Sequence, residues 1–481
     1  MQSNVESTTR NERPNIVWIT VESTRADHTF LGGYERETMP TLERVANAQG
    51  GRGFAECFSH GIWTLASSAS ILTGTYPSHH GTGMVHDVLP EDFETVPERL
   101  REVGYRTGLI APHGQVSPTT GLDRGFEDFA YLSSETILDT AGWKTLLEYA
   151  LGFPRHGPGL TTDTQRVDTG FFINDIAKRW LRSYQREDDP FFLYTFYGDP
   201  HHVYYPPKKD IERFADAFEM SIAEAREVSL RHSNDLHENI ANGRKFTEDQ
   251  WRAIEALYDG ELAYTDERIR GLLSYLAKRD MLENTIVVIT ADHGEAFGED
   301  GTLAHMLTTN DAVCNVPLVT YGFDAITDYE GMVQHADVMR TLLDRVGART
   351  DGFQGIDMRE DSRGYTITQR GWARAKRKLE RFAEINPDFD DASYHHADLT
   401  ALRTPEFKYL ASEDRTELYD LPEEDTDVSG TYPEERDRLA GIYTRWMETA
   451  GRPGYADSEP REAEYSEAMK RQLADLGYLV D

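Results

Sequence analysis

Residues 285–295 read TIVVITADHGE, and this stretch decides the fold class. The run from Thr285 to Thr290 is apolar and β-branched and is followed by a glycine turn, which is typical of a buried strand in a parallel sheet. Ligands of α/β proteins bind at the carboxyl ends of such strands. Asp292 and His293 occupy that position, and a carboxylate next to an imidazole indicates a metal site.

The chain is strongly acidic. It has 481 residues, with 84 acidic and 50 basic side chains and a formal net charge of -34. The excess is spread along the whole chain, which is typical of a halophilic protein whose self-repulsion is screened by salt. This charge argues against nucleic acid and anionic membranes as partners. The length suits one main domain with a smaller appendage.

Cysteine content and hydropathy indicate the compartment. Cys57 and Cys314 are the only cysteines, too few for a disulfide framework, and we expect both to be small core residues. The first 13 residues are polar, and no stretch approaches the roughly 18 apolar residues of a membrane span. The sequence therefore predicts a cytoplasmic protein with no membrane span; its oligomeric state stays open.

Strand and helix patterns alternate along the chain, as they do in parallel βαβ units, so the predicted fold class is α/β. The predicted strands are 14–21, 53–58, 105–111, 190–197, 285–290 and 316–322. The predicted helices are 39–49, 64–73, 96–102, 171–184, 254–278 and 336–346.

The character of the sequence changes near Gly347. Short, separated strand signals at 366–368, 399–403 and 406–411, with a helix at 372–385, predict a small C-terminal α+β subdomain containing an antiparallel sheet. The predicted organisation is a polar tail at 1–13, a main domain at 14–348 with a helical excursion or lid at 208–249, the subdomain at 349–425, and an acidic helical tail at 426–481.

Polar side chains follow several of the predicted strands. Glu22 comes after the first strand, the segment containing Asp199 and His201 after another, and Asp292 with His293 after the opening run. If these strands are neighbours, their polar groups meet at one edge of the sheet. An oxygen-rich site with one imidazole suits one divalent cation, Mn²⁺, Mg²⁺ or Ca²⁺.

Thr64 stands at the start of a predicted helix and is the candidate nucleophile. A cation beside it would lower the pKa of its hydroxyl and neutralise charge on a transferred phosphoryl or sulfuryl group. Two plainer interpretations stay open. Thr64 could serve only as a helix N-cap, and Glu22 could merely pair with Arg25.

Three segments in fixed order carry a family resemblance: 15–22, the run from Trp63 to Gly81, and 291–295. Shorter matches are Asp199-Pro200-His201, Val316-Pro317-Leu318, His335-Ala336-Asp337, Arg403-Thr404 and Leu418-Tyr419-Asp420-Leu421. Together they resemble the sulfatase branch of the alkaline phosphatase superfamily. The resemblance implies a large mixed, mainly parallel sheet sandwiched by helices. It also implies Glu22, Asp292, His293 and Thr64 around the metal, with the nucleophile at Thr64.

Two departures from that family bear on the chemistry. Sulfatases that use formylglycine begin the second segment with Cys or Ser, followed by Pro two places on and Arg four places on; here Thr64, Ala66 and Ser68 stand there. Formylglycine is therefore not expected. The second departure is at the first ligand, where many sulfatases place Asp-Asp and this chain has Glu22-Ser23. Glu22 with a threonine nucleophile resembles phosphoglycerol transferases of the lipoteichoic-acid synthase type, whose metal is typically manganese.

The resemblance also implies that His201 and His305 contact the substrate or donate a proton, although either could be a structural histidine. Arg25 and His113 are weaker candidates. The histidines expected at the surface are His232, His237, His395 and His396.

These patterns predict a metal-dependent hydrolase of an anionic small-molecule or glycan ester. Sulfuric esters, phosphomonoesters, phosphodiesters and phosphonates all stay open as substrates. The alternatives are a phosphoglycerol-type transferase and a non-catalytic binding protein with the same fold. The acidic surface favours a haloarchaeal source.

Overall fold

The computed structural model describes residues 13–133, 169–243, 246–455 and 459–475, together with a few positions between 136 and 149. Residues 1–12 of the predicted polar tail, and the end of the predicted acidic tail from 476 onward, lie outside the described residues.

The main sheet has eight strands in the order β10-β2-β9-β6-β1-β5-β3-β4. They are β1 (Asn15–Val21), β2 (Gly51–Phe58), β3 (Arg106–Ala111), β4 (Asp128–Tyr131), β5 (Phe191–Tyr197), β6 (Thr285–Thr290), β9 (Asn315–Tyr321) and β10 (Val333–Gln334). Only β9 runs against its neighbours, β2 and β6. The predicted mixed, mainly parallel sheet is confirmed.

The helices before the long central one are α1 (Pro40–Ala46), α2 (Thr64–Thr73), α3 (Pro77–His80), α4 (Val96–Glu102), α5 (Gly170–Glu187), α6 (Lys208–Ile211), α7 (Ile222–Asn234) and α8 (Leu236–Ala241). The central helix and those after it are α9 (Glu248–Lys278), α10 (Asp311–Cys314), α11 (His335–Arg345), α12 (Trp372–Ile385), α13 (Pro433–Thr449) and α14 (Glu467–Asp475). No helix in the ranges given above is both long and apolar enough to cross a membrane.

Helices cover both faces of the sheet because alternate side chains of each central strand are buried on opposite sides. Val17 and Ile19 of β1 pack in one apolar core with residues of α5 and α9. Ile16 and Trp18 pack in a second core with residues of α2 and α11. This sandwich explains why the strands read as continuous apolar runs. Cys57 and Cys314 are buried, as predicted, and neither forms a disulfide.

The strand register brings the candidate site together. β1 pairs in parallel with β6, with Thr20 opposite Thr290, and with β5, with Val21 opposite Tyr197. Three parallel strands therefore end side by side. Glu22 and Asp292, which follow β1 and β6, therefore lie at the same edge of the sheet.

The C-terminal part contains the antiparallel sheet β11-β12-β13-β14, formed by β11 (Thr366–Arg370), β12 (Leu399–Arg403), β13 (Phe407–Ala411) and β14 (Thr416–Asp420). The separate small sheet is confirmed. The fourth strand was not predicted, because residues 418–421 were interpreted only as a family motif. The predicted boundaries of the domains and the lid role of 208–249 stay predictions.

A buried ion pair joins the segment before β11 to helix α11. The guanidinium of Arg363 contacts both carboxylate oxygens of Asp337, at 2.5 and 2.6 Å, and Asp337 has no exposed side-chain surface. Breaking such a pair leaves a buried charge without its counterion.

We expect Arg363→Ala to lower the free energy of unfolding by about 3 kcal/mol. Denaturant unfolding at constant high salt measures this. Arg359→Ala is the matched control: Arg359 pairs with Asp344 and Asp357 but is 33% exposed, so its loss should change the free energy of unfolding by less than about 1 kcal/mol. Equal losses in the two variants would contradict the role given to the buried pair.

Candidate active site

Thr64 lies at the first position of α2, with Trp63 at the N-cap. Its hydroxyl donates to Glu22 Oε1 at 3.0 Å and lies 3.2 Å from His293 Nε2. The interpretation of Thr64 as a mere N-cap is therefore wrong, because the N-cap is one residue earlier and the Thr64 hydroxyl faces two side chains at strand ends.

Glu22, Asp292 and His293 form a buried cluster. Each offers one ligand atom, and these atoms lie within 4.8 Å of one another. His293 Nδ1 contacts the Gly294 carbonyl oxygen at 2.9 Å, so Nδ1 carries the proton and Nε2 is left as an acceptor. Asp292 Oδ2 is buried and accepts no hydrogen bond from the described residues. Each of these three ligand atoms has a lone pair available, and together they could coordinate one cation.

The two carboxylates of this cluster, Glu22 and Asp292, repel each other. Burial raises the pKa of Glu22 well above its ordinary value, and the negative charge of Asp292 raises it further. Burial also raises the pKa of Asp292. Two buried carboxylates this close are costly unless positive charge compensates them, which a divalent cation would do.

Two further imidazoles face Glu22. His113 Nε2 lies 3.4 Å and His201 Nε2 4.0 Å from Glu22 Oε1. His113 Nδ1 accepts from the Gln115 backbone N–H, which puts the His113 proton on Nε2, toward Glu22. Burial lowers the pKa of His201 to about 3, so its imidazole is neutral at pH 7. His113 was only a weaker candidate in the sequence, but its position two residues after predicted strand 105–111 was a usable signal.

His305 is brought back to the site by a small hairpin of β7 (Ala296–Phe297) and β8 (Leu303–Ala304). Its ring lies 4.3 Å from the ring of His293 and 5.0 Å from that of His201, between centroids. His305 Nδ1 contacts Glu295 Oε2 at 3.1 Å, and Glu295 is fully buried. Residues 291–295, which suggested the metal site, thus also contain the carboxylate that contacts His305. This role of Glu295 was not predicted from the sequence.

Two residues near the predicted site serve structural roles. Asp199 Oδ1 accepts from the backbone N–H groups of Thr169 and Gly170, at 2.6 and 3.3 Å, and so stabilises the start of α5. Arg25 pairs with Asp27 at 2.7 Å and with Glu299 at 2.8 Å. The interpretation that Glu22 merely pairs with Arg25 is therefore wrong.

The expectation that His232 and His395 lie at the surface is also wrong. His232 is fully buried, with its ring 5.8 Å from that of Trp251, because α7 packs on α9. His395 is buried between Ser412 and Glu417. Their sequence neighbours are polar, and only the packing of distant segments covers them.

Comparison with protein families matches residues 14–348 to the sulfatases. The chain belongs to the sulfatase family. As a member of this family it is a hydrolytic enzyme, in keeping with the expected sulfatase-like ester hydrolase. An arylsulfatase K from Canis lupus familiaris is 24% identical over 463 residues, covering 88% of this chain and 80% of the relative.

Other relatives of this sulfatase differ in the substrates that their names give. An N-acetylglucosamine-6-O-sulfatase of Bacteroides thetaiotaomicron is 22% identical over 536 residues, covering 94% of this chain and 88% of the relative. The crystal structure of a phosphonate monoester hydrolase of Agrobacterium radiobacter superposes with a TM-score of 0.70 at 21% identity, covering 91% of this chain and 96% of that one. The likeness to that structure supports the fold.

Proposed function

We propose that this sulfatase hydrolyses an anionic sulfate, phosphate or phosphonate ester with Thr64 as its nucleophile. The observation that carries the proposal is the Thr64 hydroxyl at the start of α2, 3.0 Å from Glu22 and 3.2 Å from His293. A hydroxyl at a helix start, facing a carboxylate and an imidazole, is in position to attack an anion bound at the same place.

The cluster fits one divalent cation, Mn²⁺, Mg²⁺ or Ca²⁺, with Glu22, Asp292, His293 and Thr64 as the residues that would hold it. Three are oxygen donors and one is an imidazole, a set that suits these hard cations. When bound, the cation would supply charge neutralisation for the transferred group and a lower pKa for the attacking hydroxyl.

Thr64 Oγ1 attacks phosphorus or sulfur, and its proton leaves along the hydrogen bond to Glu22. The bond from phosphorus or sulfur to the alcohol oxygen breaks, and His305 Nε2 protonates that oxygen. Burial lowers the pKa of both His201 and His305. We favour His305 as the donor because Glu295 contacts its Nδ1 and burial raises the pKa of Glu295 to about 8, so this carboxyl group can supply a proton to the ring. Water then attacks the same phosphorus or sulfur and the bond to Thr64 Oγ1 breaks, since Thr64 cannot eliminate the group as a formylglycine hydrate does. His305 takes a proton from the water, and Thr64 Oγ1 recovers its proton from Glu22.

If Glu295 positions His305, then Glu295→Gln should lower kcat roughly 10- to 100-fold, a factor typical of a group that supports a catalytic residue. KM and the bound metal should change little. Steady-state kinetics, metal analysis and comparison with His305→Gln test this, and the double variant should lose no more than His305→Gln alone. Additive losses would contradict an action of Glu295 through His305.

The substrate class is tested by a panel of an aryl sulfate, a phosphate monoester, a phosphodiester and a phosphonate ester in high salt. We expect turnover of at least one class that depends on Mn²⁺, Mg²⁺ or Ca²⁺ and is abolished by chelation. The names of the relatives support the aryl sulfate and the phosphonate ester as first probes, and a glycan sulfate as an addition to the panel. No turnover and no bound metal would favour the non-catalytic interpretation.

A phosphoglycerol-type transferase is the second candidate, favoured by Glu22 and Thr64 together. Glycerol added to the phosphodiester reaction distinguishes the two. A hydrolase releases the acid in the presence of glycerol, whereas a transferase forms the glycerol ester. If the glycerol ester were the main product, the proposed activity would be transfer and not hydrolysis.

A further inference from the structure

Helix α12 is basic in an otherwise acidic chain. Its 14 residues include five basic side chains and two acidic ones, whereas the whole chain has 50 basic and 84 acidic side chains. Lys376, Arg377 and Arg381 are exposed, as expected of charged groups on a surface helix. Lys378 is different, because it is buried, with only 8% of its surface exposed. Its surroundings therefore need an explanation.

The buried face of α12 packs beside the candidate active site at two places. The guanidinium of Arg374 lies over the ring of Trp63, 5.8 Å from the ring centroid, and Trp63 is the residue before the proposed nucleophile. Leu379 belongs to one apolar cluster with the apolar residues of 303–307, the segment that contains the proposed proton donor. Lys378 is four residues after Arg374 and adjoins Leu379, so it lies on the same face of the helix.

Lys378 lies among three histidines. Burial lowers the pKa of His202, His237 and His305, and the positive charge of Lys378 lowers all three further. These histidines come from the segment after β5, from α8 and from the segment after β8. The ring of His202 lies 6.2 Å from that of His305, between centroids. The ammonium group is therefore close to the place where these segments meet.

The position of Lys378 is toward the alcohol part of a bound ester. Burial and neighbouring imidazoles lower the pKa of His201 and His113, the two imidazoles that face Glu22, and Lys378 does not contribute to either shift. In the proposed reaction the metal cluster holds the transferred group, and His305 protonates the alcohol oxygen. A cation that acts on His305 but not on the imidazoles facing Glu22 lies on the alcohol side.

The charge of Lys378 favours a nearby anion. Burial, together with the positive charges of Arg374 and Arg377, lowers the pKa of Lys378 to about 7, so the side chain is partly protonated at neutral pH. The charge of Arg374 is offset by an ion pair with Asp87. An anion bound beside Lys378 would favour its protonated form and accept a charge-assisted hydrogen bond.

We propose that this sulfatase prefers a substrate with a second anionic group on its alcohol part, and that Lys378 binds this group. The inference rests on the proposed function, because it uses His305 to locate the alcohol. A carboxylate and a second sulfate have the same relevant chemistry, a full negative charge with oxygen acceptors. An ester with an apolar alcohol would instead place apolar groups against a buried ammonium, which is costly. The substrate class is therefore a dianionic ester.

Matched esters test this preference in the wild-type enzyme. The probes are the 3- and 4-carboxyphenyl esters of the acid that the substrate panel selects, each compared with its methyl carboxylate ester at pH 6, where Lys378 is mainly protonated. We expect kcat/KM to be roughly tenfold higher or more for at least one charged ester. The methyl carboxylate makes the phenol the better leaving group, so reactivity alone would favour the uncharged probe. Equal kcat/KM values in both pairs would overturn this inference and leave the proposed hydrolase intact.

Binding tests the same preference without turnover. 4-Sulfobenzoate and its methyl carboxylate ester carry the sulfur on carbon and release no alcohol, so calorimetric titration with Mn²⁺ present compares their affinities directly. We expect the dianion to bind roughly tenfold more tightly or better. If the substrate panel shows no turnover, the proposed function fails while this comparison still decides the inference. A dianion that binds no more tightly than the monoanion would then overturn it.

Two variants assign the preference to Lys378. Lys378→Met keeps the length of the side chain and removes the ammonium, and it should reduce the preference for the charged ester to within about twofold. Lys376→Met is the matched control on the same helix, since Lys376 is 56% exposed, and it should keep the full preference. A purely structural role of Lys378 would lower kcat/KM for both esters alike, and that result would overturn the assignment. If Lys378→Met does not fold, the wild-type comparisons still decide the preference.

Discussion

Replacing Thr64 with Ala should lower kcat by a factor on the order of 10⁴ while leaving the fold intact, because the variant removes the attacking oxygen and little else. The methyl group of Ala fits where the Thr64 side chain is fully buried. Thr64→Ser should retain part of the activity, since it keeps an oxygen at the start of α2. Steady-state kinetics on the best substrate of the panel measures both.

The same variant separates a nucleophile from a metal ligand. Glu22, Asp292 and His293 remain in Thr64→Ala, so the bound metal should fall only modestly while activity disappears. Mass spectrometry of the wild-type enzyme quenched during turnover should find an ester on the peptide containing Thr64, and Thr64→Ala should lack it.

Thr73→Ala is the matched control for this substitution. Thr73 is also buried in α2, but its hydroxyl donates to the Ala69 carbonyl oxygen at 2.7 Å, away from the strand ends. Its loss should leave kcat within about twofold, as a buried helix hydroxyl contributes to stability and not to attack. Activity that survives Thr64→Ala unchanged would refute the nucleophile assignment.

Asp292→Asn should weaken metal binding by more than roughly 100-fold and abolish turnover, because it removes one of the two carboxylate charges that would hold the proposed cation. The amide is nearly the same size and keeps an oxygen that can accept from the backbone N–H groups of Ser23 and His293. Metal analysis after dialysis and calorimetric titration with Mn²⁺ measure the loss directly, independently of any substrate.

Asp199→Asn is the control for charge removed at a neighbouring strand end. Asp199 accepts from the start of α5 and contacts no residue of the metal cluster by hydrogen bond. This variant should keep its metal, and its free energy of unfolding should fall by about 1 kcal/mol. If Asp199→Asn lost as much metal as Asp292→Asn, the loss would be explained by a general effect of negative charge and not by ligation of the metal through Asp292.

Much of the fold could be predicted because its signals are local. The runs 15–21 and 285–290 are apolar and β-branched, and their bounds in the structure match those patterns closely. β4 and β10 were missed, since strands of four and two residues carry too little periodicity to be recognised. The burial of His232 was missed for a related reason, as it depends on packing between α7 and α9.

The candidate site was predictable only in part. Glu22, Thr64, Asp292 and His293 each follow or begin an element with a clear local pattern, and the structure brings these four together. Asp199 has an equally clear position after a strand, yet it turns to the start of α5.

The sequence alone determined the long central strands, the helix that begins at Thr64 and the polar residues at the ends of these elements, because these depend on neighbours along the chain. Only the tertiary structure decided that His113 faces Glu22 and that Glu295 contacts His305. These contacts join residues brought together by loops and by sheet order. Since loops carry no regular periodicity, their side-chain partners are decided by packing and hydrogen bonding in the folded chain.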